Sequence, residues 1–112
     1  MTRSARVLVV LAALFAMMAG TGCNKLKARD QLNKGVQSYK SARYEEAIEQ
    51  YTITIKLSPG NPIAYFNRAN DLRKLCRNDE ALRDYKKIME IAPDMARTRK
   101  IPTSIDNNCS KT

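Results

Sequence analysis

Apolar residues recur along the chain with the spacing of amphipathic helices. From residue 44 to residue 55 they lie three or four positions apart, at Tyr44, Ala47, Ile48, Tyr51 and Ile55, which places them on one face of a helix. Equivalent spacing predicts four helices, over residues 28–41, 44–57, 62–75 and 78–92. Proline ends the second and fourth of these, and Asn61 followed by a proline is typical of a helix start. The pattern therefore predicts an all-α fold.

Residues 28–95 consist of one 34-residue unit written twice. When residues 28–61 are aligned with residues 62–95, seven pairs of positions are identical: Asn33/Asn67, Lys40/Lys74, Arg43/Arg77, Glu46/Glu80, Ala47/Ala81, Tyr51/Tyr85 and Pro59/Pro93. Self-similarity at a fixed period of this length indicates stacked supersecondary units. We therefore expect two tandem helix-turn-helix units with boundaries at 28–61 and 62–95.

The N-terminal segment has the pattern of an export signal. Arg3 and Arg6 precede an uninterrupted apolar run over residues 7–18, which small residues follow up to Cys23. A helix of twelve residues would span about 18 Å, less than the roughly 30 Å of a bilayer core. We expect residues 1–22 to be a signal peptide.

The end of this segment resembles a bacterial lipoprotein signal, whose final cysteine is lipid-modified. Thr21, Gly22 and Cys23 match its last positions, whereas Gly20 stands where that family usually has leucine. The resemblance implies that Cys23 is lipidated and anchors the chain to a membrane, with residues 23–27 as anchor and tether. Ordinary cleavage near Gly22 remains the alternative.

Composition excludes several kinds of chemistry. The chain has 112 residues and no histidine, which removes imidazole metal ligands and histidine-dependent nucleophilic catalysis. No glycine-rich phosphate loop and no cysteine pair at metal-ligand spacing is present. We therefore expect no enzyme activity, no metal and no cofactor. The formal net charge of +9 is spread along the chain without aromatic platforms, so we expect no nucleic-acid binding.

The repeated unit resembles the tetratricopeptide repeat, which has small, aromatic and proline residues at set positions. The matching residues are Tyr65, Ala69, Ala81, Tyr85 and Pro93 in the second unit, and Gly35, Tyr44, Ala47, Tyr51 and Pro59 in the first. Gln31, Thr54 and Asn78 depart from the pattern. The resemblance implies an α-solenoid of paired helices. We expect a short helix within residues 94–100, with Asp94 as its cap, to cover the open end, and a disordered tail to follow.

Family membership would also imply a concave groove, lined by the first helix of each pair, that holds a partner protein or peptide. The groove positions are Leu32, Val36, Tyr39, Lys40, Phe66, Asn67, Asn70, Arg73 and Lys74. The basic residues among them favour an acidic peptide, although core packing or plain solvent exposure would also explain these residues. One family variant clamps an acidic C-terminal carboxylate with lysine and asparagine, but Leu32 and Val36 occupy two of those places. We therefore expect no such clamp.

Two local features of the sequence, a glycine and a pair of cysteines, lead to predictions about the structure. Gly35 lies inside a predicted helix, where glycine costs about 1 kcal/mol relative to alanine, so we expect another helix to approach it closely. After export, an oxidising compartment would permit Cys76 and Cys109 to pair, since Cys109 lies on a predicted loose tail that could reach Cys76, but we favour free thiols.

Together these patterns predict an exported, lipid-anchored scaffold in a bacterial envelope or periplasm that binds another protein without chemistry. Two alternatives remain open at this point. The chain could act as a self-associating structural or assembly component of the envelope, or as a regulatory subunit of a larger complex.

Overall fold

The computed structural model describes residues 3–109, and for residues 15–21 it describes the backbone alone. Five helices follow one another: α1 (Arg3–Lys40), α2 (Tyr44–Leu57), α3 (Pro62–Lys74), α4 (Asn78–Ile91) and α5 (Pro93–Thr98). No strand occurs within residues 3–109. The predicted all-α fold is confirmed.

The helices pack in chain order as two hairpins. α1 packs against α2 and α3 against α4, while α2 and α3 join the two pairs and α5 packs on α4. The buried centre contains small residues where helices approach closely, such as Ala47, Ala69 and Ala81, each 0% exposed, and large rings at Tyr51 and Tyr85. These belong to the stripes that the helical spacing predicted. Two tandem helical hairpins with a short capping helix are therefore confirmed as the fold.

The two hairpins repeat one another in their turns. Ala42 and Cys76, which are 34 residues apart, both adopt left-handed backbone with φ of 57° and 61°. The amide of Arg43 donates to the Ser38 carbonyl at 2.9 Å, and that of Arg77 donates to the Leu72 carbonyl at 2.8 Å. Such bonds satisfy carbonyls that the helix end leaves without partners. The sequence repeat is therefore also a repeat of backbone geometry.

Arg68 forms an ion pair within the second hairpin and a hydrogen bond to α2. The Arg68 guanidinium donates from Nε and Nη2 to the Asp84 carboxylate at 2.8 and 2.7 Å, and from Nη1 to Thr52 Oγ1 at 3.2 Å. Asp84 is buried, and its negative charge is matched by two parallel hydrogen bonds. Arg68 thereby connects α2, α3 and α4 on the side away from α1.

For α2, α3 and α4, the predicted boundaries agree closely with those of the structure. Asn61 caps α3, because its side-chain oxygen accepts from the Ile63 and Ala64 amides at 3.1 and 3.4 Å. The predicted cap of the last helix was wrong: α5 starts at Pro93 with Ala92 before it, and Asp94 lies in its first turn.

The first helix is much longer than predicted. We expected it to begin at residue 28 after a short tether, but α1 starts at Arg3 and includes residues 23–27. Alanine, leucine and methionine dominate this segment, and these are strong helix formers, so the two glycines at 20 and 22 do not break the helix. Within the described residues, no helix is long and apolar enough to cross a membrane.

The described part of the C-terminal tail, residues 101–109, is held against the body. Ile101 is buried in the core of the second hairpin, and Asn78 Nδ2 donates to the Asp106 carbonyl at 3.4 Å. Cys109 forms a disulfide with Cys76, with 5.7 Å between their Cα atoms. Two expectations were therefore wrong: these residues are not a loose tail, and Cys76 and Cys109 are not free thiols. Cys23 is free and exposed.

Candidate functional site

A concave surface lies between α1 and α3, with the side chain of Tyr51 from α2 behind it. A hollow of about 280 Å³ is lined by Val36, Tyr39, Lys40, Tyr51, Asn67, Asn70 and Asp71. A second hollow of about 340 Å³ shares Tyr39 and Asn70 and adds Arg73 and Lys74. We call these adjoining hollows the groove.

The groove contains seven of the nine residues that the sequence assigned to partner binding. Leu32 and Phe66 line neither hollow. Phe66 packs against the core of the second hairpin, and the Arg99 guanidinium lies over its ring at 5.1 Å. Their apolar side chains are half-buried. The binding role of all nine residues stays a prediction.

Lys40, Arg73 and Lys74 give the groove a positive rim. Each is exposed, and none forms a salt bridge with another residue in the described part of the chain. By contrast, Arg43 and Arg77 at the turns pair with Glu46 and Glu80. The rim can therefore contact an external anion without first breaking an internal pair.

Two asparagines present polar groups inside the groove. The Tyr85 hydroxyl, from α4, donates to Asn70 Oδ1 at 2.7 Å, which fixes the orientation of that amide. Asn67 lies beside the buried Tyr51 at the wall of the hollow. Because Tyr85 anchors the Asn70 amide, the free polar atoms of that amide point in defined directions for a bound backbone or side chain.

Two groove residues were not predicted to lie there, Tyr51 and Asp71. Tyr51 was expected in the core, and at 2% exposure it is both a core ring and the wall of the hollow. Burial, followed by the nearby Asp71 and Tyr39, raises the pKa of Tyr51, so its hydroxyl stays neutral.

Asp71 is a buried acid with an incomplete set of partners. It is 1% exposed, and its Oδ2 is fully buried without a hydrogen-bond partner within the described residues. Burial raises the pKa of Asp71 to about 7, an effect that Lys74 partly offsets. The available sequence signal was an acid directly before Leu72 in an apolar stripe, where a solvated position is the usual interpretation.

Comparison with known proteins identifies the repeat. Residues 62–95 match the tetratricopeptide repeat family, over the same boundaries as the predicted second unit. The fold is thus one of tandem tetratricopeptide-type helical units, as the residue pattern implied.

Several of the similar proteins are named Hsp70-Hsp90 organizing proteins. The chain is 36% identical over 74 residues to the protein STIP1 homolog of Dictyostelium discoideum, covering 66% of this chain and 13% of that protein. It is 36% identical over 64 residues to the Hsp70-Hsp90 organizing protein of Triticum aestivum, covering 57% and 11% respectively. A third relative is the small glutamine-rich tetratricopeptide repeat-containing protein 2 of Saccharomyces cerevisiae, 37% identical over 73 residues, covering 65% and 21%. The chain therefore spans only a small part of the length of these relatives.

These relatives contradict the predicted location. The expectation of an exported lipoprotein in a bacterial envelope or periplasm was wrong, because the similar proteins come from eukaryotes, and two of these four are named Hsp70-Hsp90 organizing proteins. Lipidation of Cys23 gains no support from them.

Proposed function

We propose that this chain is a non-catalytic protein-interaction module whose groove binds an acidic peptide segment of a partner protein. The observation that carries the proposal is the pair of adjoining hollows between α1 and α3, whose rim holds three cations that form no salt bridge within residues 3–109. The names of the relatives, which describe organisation of Hsp70 and Hsp90, support binding to other proteins rather than catalysis.

The rim, not a carboxylate clamp, provides the attraction. Exposed lysine and arginine side chains raise the local concentration of an acidic segment and select against a basic one. The amides of Asn67 and Asn70 hydrogen-bond the peptide backbone or its polar side chains. Since Leu32 and Val36 supply no charge on α1, recognition does not depend on a free C-terminal carboxylate.

Charge reversal on the rim tests this proposal. Fluorescence anisotropy measures the binding of labelled acidic dodecapeptides, including C-terminal peptides of Hsp70 and Hsp90, to the full chain and to Arg73→Glu/Lys74→Glu. We expect at least about a tenfold loss of affinity at low salt, because two attractive charges become repulsive. The loss should shrink as the salt concentration rises.

The matched control is Lys56→Glu/Lys86→Glu, which changes net charge equally at exposed positions on α2 and α4. We expect this variant to bind within about twofold of the wild type. Equal losses in the two double variants would show that net charge alone acts, and no binding of any acidic peptide by the wild type would refute the proposal.

A further inference from the structure

We infer that the groove takes one basic side chain, a lysine or arginine of the bound peptide, into the hollow beside Asp71. This inference rests on the proposed function and specifies its partner: an acidic segment that carries one basic residue at a fixed place. The rim recognises the acids, and the buried carboxylate recognises the base.

The burial of Asp71 calls for an explanation because native proteins rarely leave a buried carboxylate oxygen without a partner. Asp71 is 1% exposed, and its Oδ2 has no partner within the described residues. The nearest cations do not supply one, since neither Lys40 nor Lys74 forms a salt bridge with it across the described chain. The carboxylate thus has unused capacity to accept hydrogen bonds from a ligand.

The repeat itself does not require an acid at this position. The equivalent residue in the first unit is Gln37, which is exposed. Residues 37 and 71 are not among the identical pairs of the two units. The repeat pattern of the hairpin therefore does not account for a buried acid at residue 71.

The shape of the hollow suits a long basic side chain. Val36 and Tyr51 offer an apolar wall for the alkyl stem, and Asp71 lies where the charged head would end. Lysine and arginine bury their stems along apolar surface in this way. The volume of about 280 Å³ equals that of about nine water molecules, enough for one such side chain.

The positive rim determines which residues can flank that basic residue in the bound peptide. Lys40, Arg73 and Lys74 repel a free cation and a purely basic peptide. Acidic neighbours in the peptide offset this repulsion and bring the basic side chain to the hollow. A single lysine or arginine flanked by acids is therefore the sequence that fits both features.

Selection of random dodecapeptides by phage display on the full chain tests the inference. We expect the selected peptides to be acidic and to share one basic residue at a constant position. Synthetic versions of the tightest binder then carry lysine, arginine or the uncharged norleucine at that position. Affinities for wild type and for Asp71→Asn are measured by fluorescence anisotropy.

We expect Asp71→Asn to lose at least about tenfold in affinity for the lysine or arginine peptide, because a hydrogen bond between two charged groups is lost. The same variant should bind the norleucine peptide within about twofold of wild type. Asp79→Asn, which removes an exposed acid on α4, is the control and should change neither affinity. Circular dichroism melting verifies that Asp71→Asn remains folded.

The outcomes separate this inference from the proposed function. If Arg73→Glu/Lys74→Glu weakens binding but the peptides share no basic residue, or Asp71→Asn binds the lysine peptide as tightly as wild type, the inference is overturned and the proposed function stands. If no peptide is selected, or if the selected peptides bind Arg73→Glu/Lys74→Glu as tightly as wild type, the inference and the proposed function are both overturned. A preference between the lysine and arginine peptides identifies which head group the hollow takes.

Discussion

Gly35 shows how one residue sets the distance between α1 and α2. A Cβ atom built at this position would lie 2.7 Å from Cδ1 and 2.9 Å from Cζ of Tyr51. Such contacts are shorter than packed carbon atoms tolerate, and the buried ring of Tyr51 cannot relieve them without leaving its packed position. The prediction that glycine here marks a close helix approach is confirmed.

Gly35→Ala should therefore destabilise the fold by about 1–3 kcal/mol, because the ring of Tyr51 or the α1 backbone must shift. Urea unfolding followed by circular dichroism measures the free energy of unfolding. Gly60→Ala is the control, since a Cβ atom there meets nothing within 4 Å, and it should change stability by less than about 0.5 kcal/mol. Helix propensity alone would make Gly35→Ala more stable than wild type by about 1 kcal/mol, so a variant at least as stable as wild type would contradict the close contact with Tyr51.

Asp71 should make stability depend on pH. Its pKa rises to about 7 in the folded chain, compared with about 3.9 for an unfolded aspartate. Between these values the folded state binds more protons than the unfolded state, so stability falls as the pH rises from about 4 to about 7. The titratable groups around it are Tyr39 and Lys40 of α1, Tyr51 of α2 and Lys74 of α3.

Asp71→Asn should remove this contribution, because an amide does not titrate. We expect the variant to be about 1–3 kcal/mol more stable than wild type at pH 8, the cost of a buried group without its partner. The difference should vanish near pH 4. Chemical denaturation at pH 4, 6 and 8 measures it, and a difference that stays constant over this range would contradict the role of the ionised carboxylate.

At the residue scale, the sequence predicted the shared turn pairs and also unshared groove residues such as Asn70 and Arg73, but it missed Asp71. Identity at Arg43/Arg77 and Glu46/Glu80 corresponds to the same surface ion pair in both turns. Asp71 has no counterpart in the first unit, so no repeat pattern identified it. Its burial results from α1 and α2 packing over α3, which a single helix does not reveal.

At the scale of elements, the helix ends with local chemical signals were predicted well. Pro59, Asn61 and Pro62 define the junction between hairpins within a few residues, and α2 has the predicted bounds. The start of α1 carries no cap or proline, so sequence gave no boundary there. The Cys76–Cys109 bond could not be derived because it depends on the path of residues 101–109 back to the turn between α3 and α4.

This disulfide should contribute strongly to the stability of the second hairpin. Cys109→Ser should lower the free energy of unfolding by about 2–4 kcal/mol under non-reducing conditions, because the bond restricts the unfolded chain. With dithiothreitol present, wild type should unfold at nearly the same denaturant concentration as the variant. Cys23→Ser is the control and should unfold like wild type in both conditions, since Cys23 is exposed and unpaired.

Thiol titration under denaturing, non-reducing conditions supplies the direct check on the bond. Of the three cysteines, only Cys23 is free. We therefore expect one reactive thiol per wild-type chain. Three reactive thiols would contradict the pairing.

At the scale of the whole molecule, stacking two hairpins creates the groove, which neither hairpin has alone. Alignment with the tetratricopeptide repeat placed seven of the groove residues correctly, because the first helix of each unit presents equivalent positions to the same side. Phe66 could not be separated from them, since its packing depends on α5 and Arg99. The location of the protein was predicted wrongly because it was inferred from the N-terminal segment and not from the repeats.

The most direct test of the account is to find where a bound peptide lies. The tightest peptide from the phage selection, synthesised with a photoreactive group near its centre, is irradiated with the full chain, and the labelled residues are identified by mass spectrometry. The account predicts labels on the last part of α1, residues 28–40, and on α3, with label lost when unlabelled peptide competes. Competable labels confined to the outer faces of α2 and α4 would contradict it.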